Sequence, residues 1–309
     1  MKLQLTWKHG KNKRTVFDIF DYERGQKMSK TLLAEMTWEE AEEALKKCEV
    51  VVIPTGSVEQ HGKALPVGTD WMVADTLGKE LAKKVGENVV VLPCSCFGYS
   101  DYHSDFAGTL SLREETLIAV LNDILDYVLR WGVKKVMFVN SHGANMGAIK
   151  NVSHKLRAMN VLVSTAMWWD VAVAINPGWG LIGHADINET SFIMAIRPDL
   201  VKPEKFQNPE QSNLGENIKI KNLYQVDYKG ANITMGLRTK DVTNFGCMLE
   251  VGFEGGAAVA MNGVENSSAE RGLAMIAGVT DFIAEFIEDF KKVEVFKVGF
   301  PYDQYMTRK

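Results

Sequence analysis

The chain has 309 residues, 46% of them hydrophobic, and a formal net charge of -4. A core of that size rules out a disordered chain, and the slight acidity, with no Lys/Arg cluster interleaved with aromatics, leaves no basic field for nucleic acid. No apolar run reaches the roughly 18 residues that cross a bilayer and the N-terminus lacks a signal-peptide core, so no membrane partner is expected and the expected location is cytoplasmic.

Residues 1–30 are polar and irregular in pattern and read as an N-terminal extension, which leaves 31–309 as a single domain. A capping box from Thr37 to Glu40 opens an amphipathic helix, "TWEEAEEALKKC", with an acidic start and a basic end. The apolar run "EVVVIP" follows as a first buried strand, then a helix near 70–85 and a second strand, "NVVVLPC". Ser111 and Glu114 have capping-box spacing ahead of a long helix whose Leu117, Leu121, Ile124, Leu125, Val128 and Leu129 make one buried face. "KKVMFVN" is a third strand, leading through "SHGAN" into a helix, and "NVLVSTAMWW" is a fourth. From about 205 to 265 the pattern loosens into Gly, Asn and mixed polar residues, before a terminal helix at about 268–291. Short apolar strands alternating with helices predict an α/β fold: a layered sandwich with a mostly parallel central sheet flanked by helices. Cys48, Cys94, Cys96 and Cys247 form no paired metal pattern and are expected to be reduced and mostly buried.

Three polar clusters lie where such a sheet binds ligands, outside the carboxyl ends of its strands. Glu59 and His61 follow the first strand, two apart and so on one face of an extended backbone; Asp70 heads the next helix. His142 follows the third strand, with Ser141 and Asn145 beside it. His184 and Glu189 sit five apart at a helix start, a poor spacing for one helical face, so either the first turn is irregular or the two have different roles. Taken singly, Asp70 reads as an N-cap, His142 as a satisfied turn histidine and Glu189 as an exposed carboxylate. Together they offer the imidazoles and the bridging carboxylate that a dinuclear Zn²⁺, Mn²⁺ or Fe²⁺ site requires.

The stretches "GSVEQHG" with Asp70 downstream, "NSHGAN" and "GHADINETS", and more weakly "FGYSDYHSDFAGTLSL" and "SSAERG", resemble the creatininase (creatinine amidohydrolase) family. The resemblance implies a creatininase-like fold, two divalent metal ions per chain, a small-molecule substrate and a homo-oligomer, with a hexamer among the expected states. It places Glu59, Asp70 and His142 on one metal, His61, the shared Asp70 and Glu189 on the other, and makes His184 the proton shuttle. His103, Trp168, Trp169 and Trp179 fall in the region of the family's substrate pocket. One departure is Ala144, where creatininase proper has a glutamate two positions after the histidine, so creatinine itself is not the expected substrate. The expected activity is metal-dependent hydrolysis of a small cyclic carbonyl compound: a cyclic amide, a formamide, or a cyclic diketone such as a dehydro-inosose, cleaved at its C–C bond. A metal-bridging hydroxide would attack the carbonyl, and His184, with an ordinary pKa near 6.5, would pass the proton to the leaving group. The competing expectation is a non-catalytic, metal-stabilised binding or assembly protein. Five ligands plus an extra base weigh against it, since a structural zinc is usually closed by four.

Overall fold

The computed structural model describes residues 6–9, 12–15, 31–180, 183–206, 212–246 and 264–298. Among them, β3 (Val50–Thr55), β4 (Val89–Val91), β5 (Lys135–Asn140) and β6 (Leu162–Met167) form a parallel sheet in the order β4-β3-β5-β6. Because successive strand residues point to opposite faces, these short apolar runs feed two cores. Val50, Val52, Val89, Val91, Met137 and Val139 pack with α2 (Thr69–Ala82), α5 (Trp168–Ile175), α6 (Ile187–Ile196) and α8 (Ala269–Lys292). Val51, Ile53, Val90, Val136 and Phe138 pack with α1 (Trp38–Lys47), α3 (Glu114–Leu129) and α4 (Met146–Ala158). The result is the expected α/β sandwich.

From β3 the chain crosses to β4 on one side and then returns to β5 on the other. Connections leaving β3 and β5 therefore diverge, and a crevice opens between their carboxyl ends. No described helix is long and apolar enough to cross a membrane.

Several expectations are corrected. The capping box of α1 forms as expected, but that of α3 does not: its N-cap is Arg113, and the Ser111 hydroxyl instead accepts from the Ser100 N–H and donates to the Leu112 carbonyl. The fourth strand ends at Met167, and the two tryptophans after it begin α5. Within the loosely patterned 205–265 stretch lies an antiparallel meander of β7 (Ile218–Asn222), β8 (Gln225–Tyr228) and β9 (Ala231–Thr234), followed by the short α7 (Thr239–Val242). Its β8–β9 turn is Lys229–Gly230, both at positive φ (53° and 86°), the conformation that suits a two-residue hairpin loop. In the N-terminal stretch, β1 (Thr6–His9) and β2 (Asn12–Thr15) pair with each other. The rest of 1–30 lies outside the described residues. Cys48, Cys94 and Cys96 are free but half-buried, not buried, and Cys247 lies outside the described residues.

Candidate metal centre

The last register pair of β3 and β5 is Thr55 with Asn140, and here the two strand-end loops are tied together. The Thr55 hydroxyl donates to Asn140 Oδ1 (2.9 Å), the Asn140 amide donates to the His142 carbonyl (2.6 Å), and the Asn145 amide donates to the Gly56 carbonyl (3.0 Å). Gly56 is required by close approach: a Cβ there would lie 2.6 Å from the Trp71 backbone at the head of α2. Glu59 N–H donates to the Val67 carbonyl (2.8 Å), closing the loop that carries Glu59 and His61 back onto α2. That helix is capped by Gly68 without a side-chain bond, so Asp70 is not an N-cap and its carboxylate turns to the two loops.

All of these side chains are buried and converge. His61 Nε2 is 3.1 Å from Asp70 Oδ1 and 3.6 Å from Glu189 Oε2. His142 Nδ1 is 3.1 Å from Asp70 Oδ2 and 3.4 Å from Glu59 Oε1. Asp70 therefore stands between the two histidines, one oxygen facing each. His103 Nε2 and His184 Nδ1 approach Glu59 Oε1 at 3.4 and 3.6 Å. His103 and His184 stack with ring centroids 4.4 Å apart.

The outer nitrogens fix the inner ones. His61 Nδ1 is 3.1 Å from the Glu59 carbonyl and His142 Nε2 is 2.7 Å from the Tyr99 carbonyl. A carbonyl only accepts, so these nitrogens carry the hydrogens. In the neutral rings His61 Nε2 and His142 Nδ1 are then bare lone pairs aimed at carboxylate oxygens. Lone pair against lone pair is tolerable only with a proton or a cation between them, and a backbone carbonyl behind an imidazole is how metal-bound histidines are held. Asp70 Oδ2, facing His142, and the buried Glu59 Oε2 have no aligned hydrogen-bond partner. The donor set and these orphan oxygens fit divalent cations. Three possible ligand groups lie among the described residues: Glu59, His61 and Asp70; His61, His184 and Glu189; and Glu59, His103 and His184.

Protonation shows the same unbalanced charge. Burial pulls the His61 pKa down, but Asp70 and Glu189 outweigh it and hold the group well above its ordinary value; for His142 burial is likewise overcome, by Glu59 and Asp70. Burial pushes Glu59 up, yet His103, His142 and His184 keep it well below the usual carboxylate range. His184 is lowered, by burial first and by His61 next.

The five-residue gap between His184 and Glu189 has a local cause. His184 precedes α6, whose N-cap is Asp186; its Oδ1 accepts from the Asn188 and Glu189 N–H groups (2.9 Å each). Between them Ala185 sits at φ 57°, a left-handed conformation uncommon without glycine, and its N–H donates to Glu189 Oε2 at 2.7 Å. The first turn is thus folded back, and both side chains reach one pocket. Burial and the neighbouring Glu189 push the Asp186 carboxyl up to about 8.

The six residues proposed from sequence as ligands and shuttle are brought together, and all but His61 line a pocket of about 540 Å³ including its open mouth. His103 and Trp169 line it too, as does Ala144. Trp168 and Trp179 do not. Trp168 is fully buried in the core against Phe192, and Trp179 packs on that core while its carbonyl accepts from Arg271 (2.7 Å). Sequence reasoning missed Gln60, whose amide reaches His103 Nδ1 (3.0 Å) and the Gly246 carbonyl (3.0 Å), and it missed Tyr102, Leu223 and Tyr224 on the pocket wall. For Gln60 the available signal was its place between Glu59 and His61.

Residues 34–287 match the creatininase family, described as creatinine amidohydrolase. The mycofactocin precursor peptide peptidase of Mycobacterium ulcerans is 28% identical over 179 residues, which is 54% of this chain and 66% of that protein. Creatinine amidohydrolase of Pseudomonas putida is 29% identical over 198 residues, 56% of this chain and 75% of that one. The 3-dehydro-scyllo-inosose hydrolase of Thermotoga maritima is 27% identical over 188 residues, 55% and 57% of the two chains. The chain thus spans between 57% and 75% of the length of these relatives. A solved manganese form of creatininase superposes with a TM-score of 0.63 at 22% identity, over 85% of this chain and 99% of that one, which is a likeness of fold. With the family match running over residues 34–287, from before β3 into α8, the chain belongs to the creatininase family.

Proposed function

We propose that the chain is a metal-dependent hydrolase of a small, cyclic carbonyl compound. The observation that carries this is the set of buried imidazoles backed by carbonyls and facing three carboxylates, two of them with an orphan oxygen, with all of the carboxylates lining an open pocket. Glu59, Asp70 and His142 would hold one divalent cation, and His61, Asp70 and Glu189 a second; Zn²⁺, Mn²⁺ and Fe²⁺ all suit such mixed donors. Bound there, the cations would polarise the substrate carbonyl and acidify water. The rest falls to the chain. Gly143 and Ala144 leave room beside His142 for the substrate, and the backing carbonyls hold His61 and His142 in one tautomer. His184 has Nε2 against the Gln60 carbonyl (2.7 Å) and Nδ1 toward Glu59, at the pocket wall where it can deliver a proton to the leaving group.

The relatives are named for hydrolysis of creatinine, of a precursor peptide and of a dehydro-inosose, which share an electrophilic carbonyl. Ala144 on the pocket wall supports a substrate other than creatinine. We also hold residues 31–309 to be one hydrolase domain, with 1–30 as its extension. The test is elemental analysis of protein purified without chelator, together with hydrolysis assays on cyclic amides, formamides, cyclic diketones and creatinine. Two metal equivalents per chain with turnover of one non-creatinine class is the expected result. Failure to retain metal after loading with Mn²⁺ or Zn²⁺ would sink the reading, and efficient creatinine hydrolysis would overturn the substrate part of it.

A further inference from the structure

We propose that the β7–β8–β9 meander is the specificity wall of this pocket, and that its Leu223–Tyr224 turn, with Tyr102, selects an uncharged ring-bearing carbonyl compound over its phosphorylated or carboxylated counterpart. The inference rests on the hydrolase reading above and adds the chemical class of the substrate. Leu223 and Tyr224 are the two-residue loop of the β7–β8 hairpin, between the paired Asn222 and Gln225, and both line the pocket that Glu59, Asp70 and Glu189 floor.

The turn is held in place from several sides. Leu223 is buried with Ile220, Val226, Leu237 and Val242, and Tyr102 packs against this cluster. Met235 and Leu237 N–H groups donate to the Tyr224 and Leu223 carbonyls (2.9 Å each), and Asn222 Oδ1 accepts from the Tyr224 N–H (2.8 Å). Beyond the meander, Arg238 reaches Asp105 (2.6 Å) and Asp101 (3.3 Å), and Thr239 donates to the Tyr102 carbonyl (3.0 Å). Those bonds fasten the meander to the turn that bears Tyr102 and His103. A wall fixed to the same turn as a pocket histidine is placed to position substrate.

The chemistry of the wall decides the class. Tyr224 is half-exposed at 50% and meets Tyr102 edge-on, ring centroids 5.8 Å apart, so aromatic surface flanks the polar floor. Among the described residues lining the pocket there is no Lys or Arg, and the guanidinium of Arg238 is engaged by two aspartates outside it. A phosphate or carboxylate on the substrate would meet no Lys or Arg among these described residues and would lie beside the carboxylates of Glu59, Asp70 and Glu189, while a flat or puckered ring can lie on the tyrosines.

The test uses the 309-residue chain loaded with Mn²⁺ and matched probes: 2-pyrrolidinone against pyroglutamate, and scyllo-inosose against its phosphate ester. Binding is measured by calorimetry and metal content is read on the same samples. The uncharged member of a pair is expected to bind at least about tenfold more tightly, and Tyr224→Ala to weaken it by roughly tenfold, the scale of one lost aromatic contact with its buried area. Tyr224→Phe should bind as wild type, and metal content should not change in either variant. Equal or tighter binding of the charged members, no binding of any uncharged probe, or wild-type affinity in both Tyr224→Ala and Leu223→Ala would overturn the wall. A wild type that holds two metal equivalents but shows no preference overturns the wall alone. One that holds no metal overturns the hydrolase reading on which it depends.

Discussion

Three carboxylates and four imidazoles converge in one buried cluster, so truncating any of them changes charge more than volume. His61→Ala and Glu189→Ala are each expected to lose one metal equivalent while far-UV circular dichroism stays unchanged, because neither side chain belongs to an apolar core cluster. Asp70 faces both histidines, one oxygen to each, and Asp70→Ala should lose both equivalents; retention of two in that variant would refute the shared role. His184 separates an enzyme from a metal-holding scaffold. As proton shuttle, His184→Ala should keep both metals and lower kcat by roughly 10²–10⁴. An unchanged kcat, or a lost metal equivalent, would show a different role, and its 3.6 Å approach to Glu59 makes metal content the decisive column. At this scale the sequence was informative where chemistry is local: Glu59, His61 and His142 stand just past apolar strands, and Asp70 heads the next helix. Gln60 and Tyr102 were not legible, because their roles come from Gly246, Thr239 and Tyr224, more than a hundred residues away.

The helix that carries Glu189 is positioned by another from the far end of the chain. α6 packs on α8, and Gly272 in α8 lies so close that a Cβ would stand 2.1 Å from the Ser191 carbonyl oxygen and 2.7 Å from Ala195 Cβ. Two effects compete in Gly272→Ala. Alanine gains about 1 kcal/mol of helix propensity, but the obstruction is backbone and can move only if the helices separate, a cost of about 1–3 kcal/mol or more. The clash should win. A fall in Tm of a few degrees is expected, measured by differential scanning fluorimetry; a rise would mean that the helices repack without penalty. Just ahead on the same helix, Arg271 donates to Asn188 Oδ1 (2.9 Å) and to the Trp179 carbonyl (2.7 Å), which gives the "SSAERG" motif a structural role in holding the segment with His184. Elements with strong periodicity or local caps, such as α1 and β3, were legible in the sequence. The meander was not, since strands of four or five residues with at most one buried position each carry little pattern, and only Lys229–Gly230 marks the β8–β9 turn. The α3 capping box failed for a different reason: a tertiary partner, the Ser100 N–H, took the Ser111 hydroxyl.

For the whole molecule, the layered fold follows from apolar runs that cover both sheet faces, whereas the pocket's shape depends on which distant segments close over the sheet. That asymmetry bears on stability. The sheet and its helices need no ion, so the chain should fold without metal, yet the floor then retains Glu59 Oε2 and Asp70 Oδ2 as buried acceptors with no aligned partner. A cation that binds the folded floor and not the unfolded chain stabilises by mass action, about 2.7 kcal/mol per site at a hundredfold excess over Kd. Treating unfolding as one transition with about 2.1 cal/mol/K of entropy per residue, each filled site should raise Tm by about 4 °C. The expected experiment is a Mn²⁺ titration of chelator-stripped protein: Tm climbs with concentration in wild type, by about half as much in Glu189→Ala, and not at all in Asp70→Ala. Tyr224→Ala, at the wall and not the floor, should follow the wild-type curve. An Asp70→Ala protein that gains the full shift would mean that the stabilising cation sits elsewhere, and the convergence of carboxylates and imidazoles would then need another explanation.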